Sequence, residues 1–119
     1  MKKRLVMIIA LAGAVVTGAV GMSNAATPQC GGASWYSLPG QTTASGKSMN
    51  PNALTAAHKT LPFGTKVKVV NKVNGKSIVV TINDRGPFIS GRIIDLTPAG
   101  AKVLGFKNAG VTSVCLTRI

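Results

Sequence analysis

Two aspartates, Asp84 and Asp95, are the only acidic side chains in the 119-residue sequence. Any general acid, general base, nucleophile or metal site that needs a carboxylate must therefore use one of them or a chain terminus. They share one short stretch, residues 83–88 (Asn-Asp-Arg-Gly-Pro-Phe) followed by residues 91–96 (Gly-Arg-Ile-Ile-Asp-Leu). The single histidine, His58, is the other side chain suited to proton transfer near neutral pH. These three residues are the candidate catalytic set.

The sequence neighbours of the two aspartates indicate different roles. Arg85 adjoins Asp84, and a nearby cation favours a charged carboxylate. A general acid must instead hold a proton, which burial in apolar surroundings promotes. Asp95 follows Ile93 and Ile94, so we expect Asp95 to be the acid/base group. Asp84, next to Arg85, is expected to be an ion-paired residue or one that positions substrate or a partner side chain.

Each candidate also has a structural interpretation. Asp84 could close its turn through an Asx hydrogen bond. Asp95 could be a hydrogen-bonded polar residue near the start of a helix. His58 could be structural, although its place beside a polar loop favours a functional role. Nothing in the spacing of the three residues favours a metal site, so we expect neither a metal nor a cofactor.

The N-terminal segment has the pattern of a signal peptide. Residues 2–4 are basic, residues 5–20 are apolar, and residues 23–25 (Ser-Asn-Ala) form a small-x-small cleavage pattern. We expect a signal peptide over residues 1–25 and a mature domain over residues 26–119, with cleavage after Ala26 as the alternative. A permanent membrane anchor is disfavoured by the Gly/Ala-rich apolar run and its cleavage pattern. The protein is therefore expected in the periplasm, outside the cell or at the cell wall.

The charge balance narrows the class of partner. Without residues 1–25 the chain keeps 11 basic and 2 acidic side chains, a net charge of +9. Such a surface favours nucleic acid, membrane surfaces or an acidic polymer. Export argues against nucleic acid, so we expect an anionic cell-wall polymer as partner, no nucleic acid and no stable membrane anchor. About 94 residues suffice for one small domain, which we expect to be a monomer.

Two cysteines, Cys30 and Cys115, lie near opposite ends of the predicted mature chain. In a small exported domain an even pair predicts a disulfide, although two free buried thiols remain an alternative. A bridge would join the first strand to the last.

The pattern along the chain is mainly β. Residues 65–70 alternate basic and apolar side chains, and residues 77–82 are rich in β-branched side chains. An Asn-Gly pair lies between the two segments, which predicts a hairpin with a type I′ turn. Further strands are expected near residues 33–37, 53–58, 92–96 and 110–118. Thr97-Pro98 and Gly105 bound a short helix over residues 98–104. About six strands and one helix favour a closed barrel, because closure leaves no exposed edge.

Five sequence blocks resemble the rare lipoprotein A (RlpA) family. They are residues 32–36 (Gly-Ala-Ser-Trp-Tyr), 43–46 (Thr-Ala-Ser-Gly), 53–65, 83–88 and 91–96. Taken in order, they cover nearly all of the predicted mature chain. The resemblance implies a six-stranded double-psi β-barrel with one short helix, the fold of expansins and some endoglucanases. It also implies endolytic peptidoglycan transglycosylase activity on glycan strands stripped of their peptides.

The resemblance also implies which residues form the active site. It implies catalytic roles for His58, Asp84 and Asp95, with Asp95 matching the residue usually assigned as the acid in expansin-like barrels. Many family members have Glu where this sequence has Lys47.

A lytic transglycosylase needs only one acid/base group, since the muramyl C6 hydroxyl displaces the leaving oxygen without water. We expect Arg85 and Arg92 to bind substrate, and one of Trp35 and Tyr36 to be exposed to sugar rings. The alternative function is a non-catalytic, expansin-like module that binds wall glycan through its lysines.

Overall fold

The computed structural model describes residues 27–119, and the predicted signal peptide and its cleavage sites lie outside these residues. The elements in chain order are β1 (Gln29–Trp35), β2 (Thr55–His58), β3 (Lys66–Asn71), β4 (Ser77–Asp84), β5 (Arg92–Leu96), α1 (Pro98–Leu104) and β6 (Val111–Arg118). None of the helical residues in this part of the chain forms a segment long and apolar enough to cross a membrane.

The six strands close into a barrel in the order β1-β5-β2-β4-β3-β6, and β6 pairs back onto β1. The pairs β1/β5 and β2/β4 are parallel, and the other four are antiparallel. Each parallel pair requires a crossover connection, so strands that are distant in sequence become neighbours in the sheet. The prediction of a mainly β, six-stranded double-psi β-barrel with one helix is confirmed.

The hairpin of β3 and β4 follows the predicted alternation, but its turn differs from the prediction. Asn71 and Lys76 face each other across the turn, and the Asn71 N–H donates to the Lys76 carbonyl at 2.8 Å. The loop between them, residues 72–75, has four residues instead of the two of a type I′ turn. The Asn71 side chain accounts for the wider loop, because its Oδ1 accepts the Val73 N–H at 3.0 Å. Gly75, at φ +79°, closes the loop by donating its N–H to the Asn71 carbonyl at 2.7 Å.

Side chains that alternate inward along the strands fill the barrel. The fully buried members include Ala33, Ala56, Val67, Val69, Val80, Ile82, Ile94, Leu96, Val114 and Leu116, joined by Ala101 and Leu104 of α1 and by Phe106. Lys66 and Lys68 alternate with two of these valines and point to solvent, as predicted. The inward row therefore supplies the apolar burial that stabilises the sheet.

The short helix begins and ends where the sequence predicts. Thr97 is the N-cap, and its hydroxyl accepts the Gly100 N–H at 3.2 Å. Pro98 occupies the first turn, where its missing N–H costs no helical hydrogen bond. Gly105 ends the helix at φ +80°, a left-handed conformation that favours glycine.

A disulfide joins Cys30 to Cys115, as predicted. The two residues face each other in the antiparallel pairing of β1 with β6 and are separated by 85 residues of sequence. The bridge thus spans the line along which the barrel closes.

Candidate active site

The two carboxylates lie on either side of one residue of β2. Ala57 is in register with Asp84 of β4 on one side and with Asp95 of β5 on the other. Since neighbouring strands are about 4.8 Å apart, the two aspartate backbones are separated by roughly 10 Å. Both aspartates and Ala57 line one cavity of about 300 Å³. The fold therefore brings the two predicted carboxylates to a common site.

The Asp84 carboxylate is held by three donors. Oδ2 accepts the Tyr36 hydroxyl at 3.0 Å. Oδ1 accepts the backbone N–H of Ala44 at 2.9 Å and that of Arg85 at 2.9 Å. An Asx turn would use the N–H of Gly86, two residues after Asp84, whereas here the N–H of Arg85 donates. The predicted Asx hydrogen bond is therefore not formed. These bonds fix the orientation of the carboxylate and join it to the loop that carries Ala44.

The Arg85 guanidinium does not pair with Asp84, so the predicted ion pair is wrong. Its Nη1 donates to the carbonyls of His58 at 3.1 Å and Leu61 at 2.8 Å, and its charge lies 4.1 Å from the centre of the Phe63 ring. Arg85 nevertheless lines the 300 Å³ cavity. The side chain is thus anchored at one nitrogen by two backbone carbonyls.

Asp95 is the aspartate that forms an ion pair. Arg92 Nη2 lies 3.0 Å from Oδ1 and 3.3 Å from Oδ2. The Asp95 side chain is 16% exposed and that of Arg92 is 25% exposed. Within residues 27–119 this guanidinium is the one donor to the Asp95 carboxylate, and the Nε of Arg92 is buried without a partner. Asp95 therefore lies beside a cation instead of in the apolar surroundings expected from Ile93 and Ile94.

Tyr36 acts as a fixed donor to the site. Burial raises the pKa of its phenol far above the ordinary value, and the negative charge of Asp84, the hydrogen bond to Asp84 and the charge of Asp95 add to the effect. The phenol therefore keeps its proton at any physiological pH and donates a hydrogen bond to Asp84.

His58 is buried, and both of its ring nitrogens are engaged. Nδ1 accepts the backbone N–H groups of Thr60 and Leu61, each at 3.1 Å. Nε2 then carries the proton and donates to Gln29 Oε1 at 2.9 Å. Burial lowers the pKa of His58, and the positive charges of Arg85 and Lys59 lower it further. The ring is thus held neutral, and it is absent from the lining of the cavity that contains the aspartates.

The two aromatic candidates point to different places. Tyr36 lines the cavity. Trp35 packs against the core, donates its Nε1–H to the Lys107 carbonyl at 3.0 Å and has the Lys107 ammonium 5.2 Å from its ring centre. Both rings are half-buried, so the expectation that one of them is exposed is wrong.

Several lining residues were not predicted. Ala57 lies between the aspartates, and Leu38, Phe88 and Ile89 border the cavity with exposed apolar surface. Phe88 could have been noticed in the sequence, since it ends the block that contains Asp84. No sequence signal pointed to Gln29 as the partner of His58.

Lys47 belongs to the loop that reaches Asp84. Its carbonyl accepts the Thr43 N–H at 2.8 Å and the Thr43 hydroxyl at 2.7 Å, which shapes the turn that presents the Ala44 N–H. The Lys47 side chain is exposed and is absent from the cavity lining. Among residues 27–119, the His, Cys, Asp and Glu side chains form no group of three that could hold a metal ion.

Known structures share this fold. A Streptomyces papain inhibitor superposes with a TM-score of 0.66 at 22% identity, covering 81% of this chain and 97% of the inhibitor. An expansin of Clavibacter michiganensis superposes with a TM-score of 0.64 at 22% identity, covering 78% of this chain and 50% of the expansin. At these identities the likeness concerns the fold.

Sequence comparison gives the family. A probable endolytic peptidoglycan transglycosylase RlpA of Synechocystis is 50% identical over 115 residues, covering 92% of this chain and 36% of the relative. The endolytic peptidoglycan transglycosylase RlpA of Rickettsia prowazekii is 54% identical over 91 residues, covering 72% of this chain and 28% of the relative. The chain thus spans about a third of the length of these relatives. Residues 28–116 match the double-psi β-barrel family described as lytic transglycolase, and the chain belongs to this RlpA-like family.

Proposed function

We propose that this protein is an endolytic lytic transglycosylase that cleaves peptidoglycan glycan strands, preferably peptide-stripped ones, and leaves 1,6-anhydromuramyl ends. The observation that carries the proposal is the placement of Asp84 and Asp95 on either side of Ala57 in one cavity. Membership of the family and the names of the RlpA relatives support the same reaction.

The reaction needs one proton to move between two oxygens of the substrate. The C6 hydroxyl of a muramyl residue attacks its own anomeric carbon, so that a C1–O6 bond forms while the C1–O bond to the next sugar breaks. The leaving oxygen gains a proton and the C6 hydroxyl loses one. A single carboxyl group can give the first proton and then accept the second.

We assign the proton transfer to Asp95 on the ground of its hydrogen bonding and not of apolar surroundings, which its ion pair with Arg92 replaces. Its oxygens accept hydrogen bonds from one nitrogen of Arg92, which leaves lone pairs available to substrate. Asp84 already accepts three hydrogen bonds, which occupy its oxygens and fix its orientation. We assign Asp84 to the stabilisation of positive charge that develops at the anomeric carbon.

The cationic residues have supporting roles in this proposal. Arg85 and Arg92 line the cavity and can donate hydrogen bonds to oxygens of the glycan. His58 acts indirectly: its ring orders residues 58–61, and the carbonyls of His58 and Leu61 hold Arg85. His58 is therefore a positioning residue.

Incubating the purified protein with peptide-stripped sacculi and measuring new anhydro ends by mass spectrometry tests the proposal. The wild-type protein should release anhydro products, and Asp95→Asn should lower the rate about 10²- to 10⁴-fold, the usual contribution of general acid–base catalysis. Lys47→Ala is a control that should keep the wild-type rate, because this side chain lies outside the cavity lining. Wild-type release by Asp95→Asn would contradict the assignment.

The second candidate is a glycan-binding module without turnover, which the ion pairing of Asp95 with Arg92 favours. If the protein pellets with sacculi in a salt-sensitive way and produces no new anhydro ends, glycan binding without turnover is its function.

We infer that the protein acts outside the cytoplasm, in the periplasm or at the cell wall. The signal-peptide pattern of residues 1–25 supports this location. The Cys30–Cys115 disulfide supports it as well, since such bridges persist in oxidising compartments.

A further inference from the structure

Three large apolar side chains are exposed around the cavity that contains the aspartates. Phe88 is 79% exposed, Ile89 is 54% exposed and Leu38 is 47% exposed. All three line the same 300 Å³ cavity as Asp84 and Asp95. Single exposed apolar residues are common on protein surfaces, but several around one cavity that also contains charged side chains are typical of a ligand site.

The loop between β4 and β5 holds Phe88 in this position. Gly86 has φ +114°, a conformation that L side chains rarely adopt, and the Phe88 ring lies over this glycine. A Cβ placed on Gly86 would be 3.5 Å from Cε2 of the ring. The loop then turns back into β5 through a hydrogen bond from the Arg92 N–H to the Ile89 carbonyl at 3.1 Å. One edge of the ring thus lies next to Gly86, while most of its surface faces solvent.

The other aromatic rings of the chain are already engaged. Trp35 has Lys107 over its ring, and Phe63 has Arg85 over its ring. Phe106 is 2% exposed, and the half-buried Tyr36 donates to Asp84. All five aromatic residues of the sequence lie in the described part of the chain. Among them the Phe88 side chain is the most exposed, at 79%.

A pyranose ring suits this combination of groups. Its C–H groups form apolar faces, whereas its hydroxyl groups project around the edge. An aromatic ring can cover one face while carboxylates and guanidinium groups bind the edge. Here the exposed ring and the charged groups border one cavity, so one sugar could contact both.

We propose that Phe88, flanked by Leu38 and Ile89, forms an apolar shelf that binds the face of a sugar residue of the glycan next to the two aspartates. This inference rests on the proposed function for the identity of the glycan. It assigns a substrate-binding role to residues that sequence reasoning did not single out, in place of Trp35.

The test measures binding separately from turnover. Each variant is made in the Asp95→Asn background, and its co-sedimentation with peptide-stripped sacculi is measured at high salt, where screening weakens exposed charge contacts. Phe88→Ala should weaken binding about tenfold, the effect expected for loss of one aromatic contact. Phe88→Trp should bind within about twofold of the parent, because it keeps an aromatic face.

Val73→Ala is the matched control. Val73 is 78% exposed, close to the exposure of Phe88, and is absent from the lining of the cavity with the aspartates. The control should bind like the parent, and thermal unfolding should give similar midpoints for all variants. Unchanged binding by Phe88→Ala, or an equal loss in Val73→Ala, would overturn the shelf.

The outcome also separates the shelf from the proposed reaction. If the wild-type protein makes no anhydro ends but Phe88→Ala still binds sacculi more weakly, the lyase proposal fails and the shelf stands. If the wild-type protein makes anhydro ends and Phe88→Ala matches it in binding and KM, the shelf fails alone.

Discussion

Asp84 and Asp95 are second neighbours across the sheet, with Ala57 of the intervening strand in register with both. Side chains in register on adjacent strands project from the same face of a sheet, so the two carboxylates border a common space. Ala57, the residue between them, is small and lines that space.

The first prediction concerns this spacer. Ala57 is 4% exposed and lines the cavity, so Ala57→Val should crowd the site and lower the release of anhydro ends severely. Overpacking should also lower the free energy of unfolding by about 1–3 kcal/mol. Urea unfolding and the sacculus assay measure the two effects. Ala57→Gly is the control: it should lose about 0.5–1 kcal/mol but keep measurable activity, because it leaves the space open. Equal turnover by Ala57→Val and wild type would contradict the spacer role.

The second prediction concerns Tyr36, whose phenol donates to Asp84 at 3.0 Å. Tyr36→Phe keeps the ring but removes the donor, so the free energy of unfolding should fall by about 1–2 kcal/mol. The value of kcat should fall more than KM rises, since Asp84 loses part of its orientation. Trp35→Phe removes a comparable hydrogen bond outside the cavity. That variant should lose stability without losing kcat, and a similar kcat in both variants would argue against a role for the phenol.

The third prediction concerns the pH dependence of stability. The pKa of His58 is lower in the folded protein than its ordinary value of 6.5, so the unfolded chain binds more protons at mildly acidic pH. The free energy of unfolding should therefore fall as the pH drops below about 6.5 and level off above it. Urea unfolding between pH 5 and pH 8 measures this dependence. His58→Gln should flatten the curve in that range, and a flat curve for the wild-type protein would contradict the buried neutral ring.

The fourth prediction concerns the Cys30–Cys115 disulfide. Because it closes a loop of about 85 residues, replacing both cysteines by serine should lower the free energy of unfolding by about 4–5 kcal/mol in the chain-entropy account. Urea unfolding with and without reductant measures the loss. Reductant should destabilise the wild-type protein and leave the double serine variant unchanged. A loss below about 1 kcal/mol would contradict a major constraint on the unfolded chain.

The barrel elements were predictable because their signals are local or compositional. Alternation in Lys66–Asn71, the capping pair Thr97-Pro98 and the cysteine count each reflect a physical requirement of the element concerned. The width of the β3–β4 loop was not predictable from the Asn-Gly pair, because the buried Asn71 side chain sets the loop from outside the turn.

The charge contacts of the site could not be assigned from sequence adjacency. Arg85 follows the last residue of β4, and its guanidinium is held by the carbonyls of His58 and Leu61 instead of by the adjacent Asp84 carboxylate. Asp84 instead bonds to Tyr36 and Ala44, which are distant in sequence. The identity of the two carboxylates was predictable by elimination, whereas their partners depend on the strand order of the barrel.

The closing pair of strands also places the two ends of the barrel chain side by side, since Gln29 lies opposite Leu116. A circular permutant could join these ends with a short linker and open the chain within the exposed loop of residues 72–75. The pairing of β1 with β6 would then become local in sequence, and its contact order would fall sharply. The cut would in turn make the β3/β4 pairing the long-range one, so the permutant should keep the same cavity while a different strand pair sets the slow, long-range step of folding.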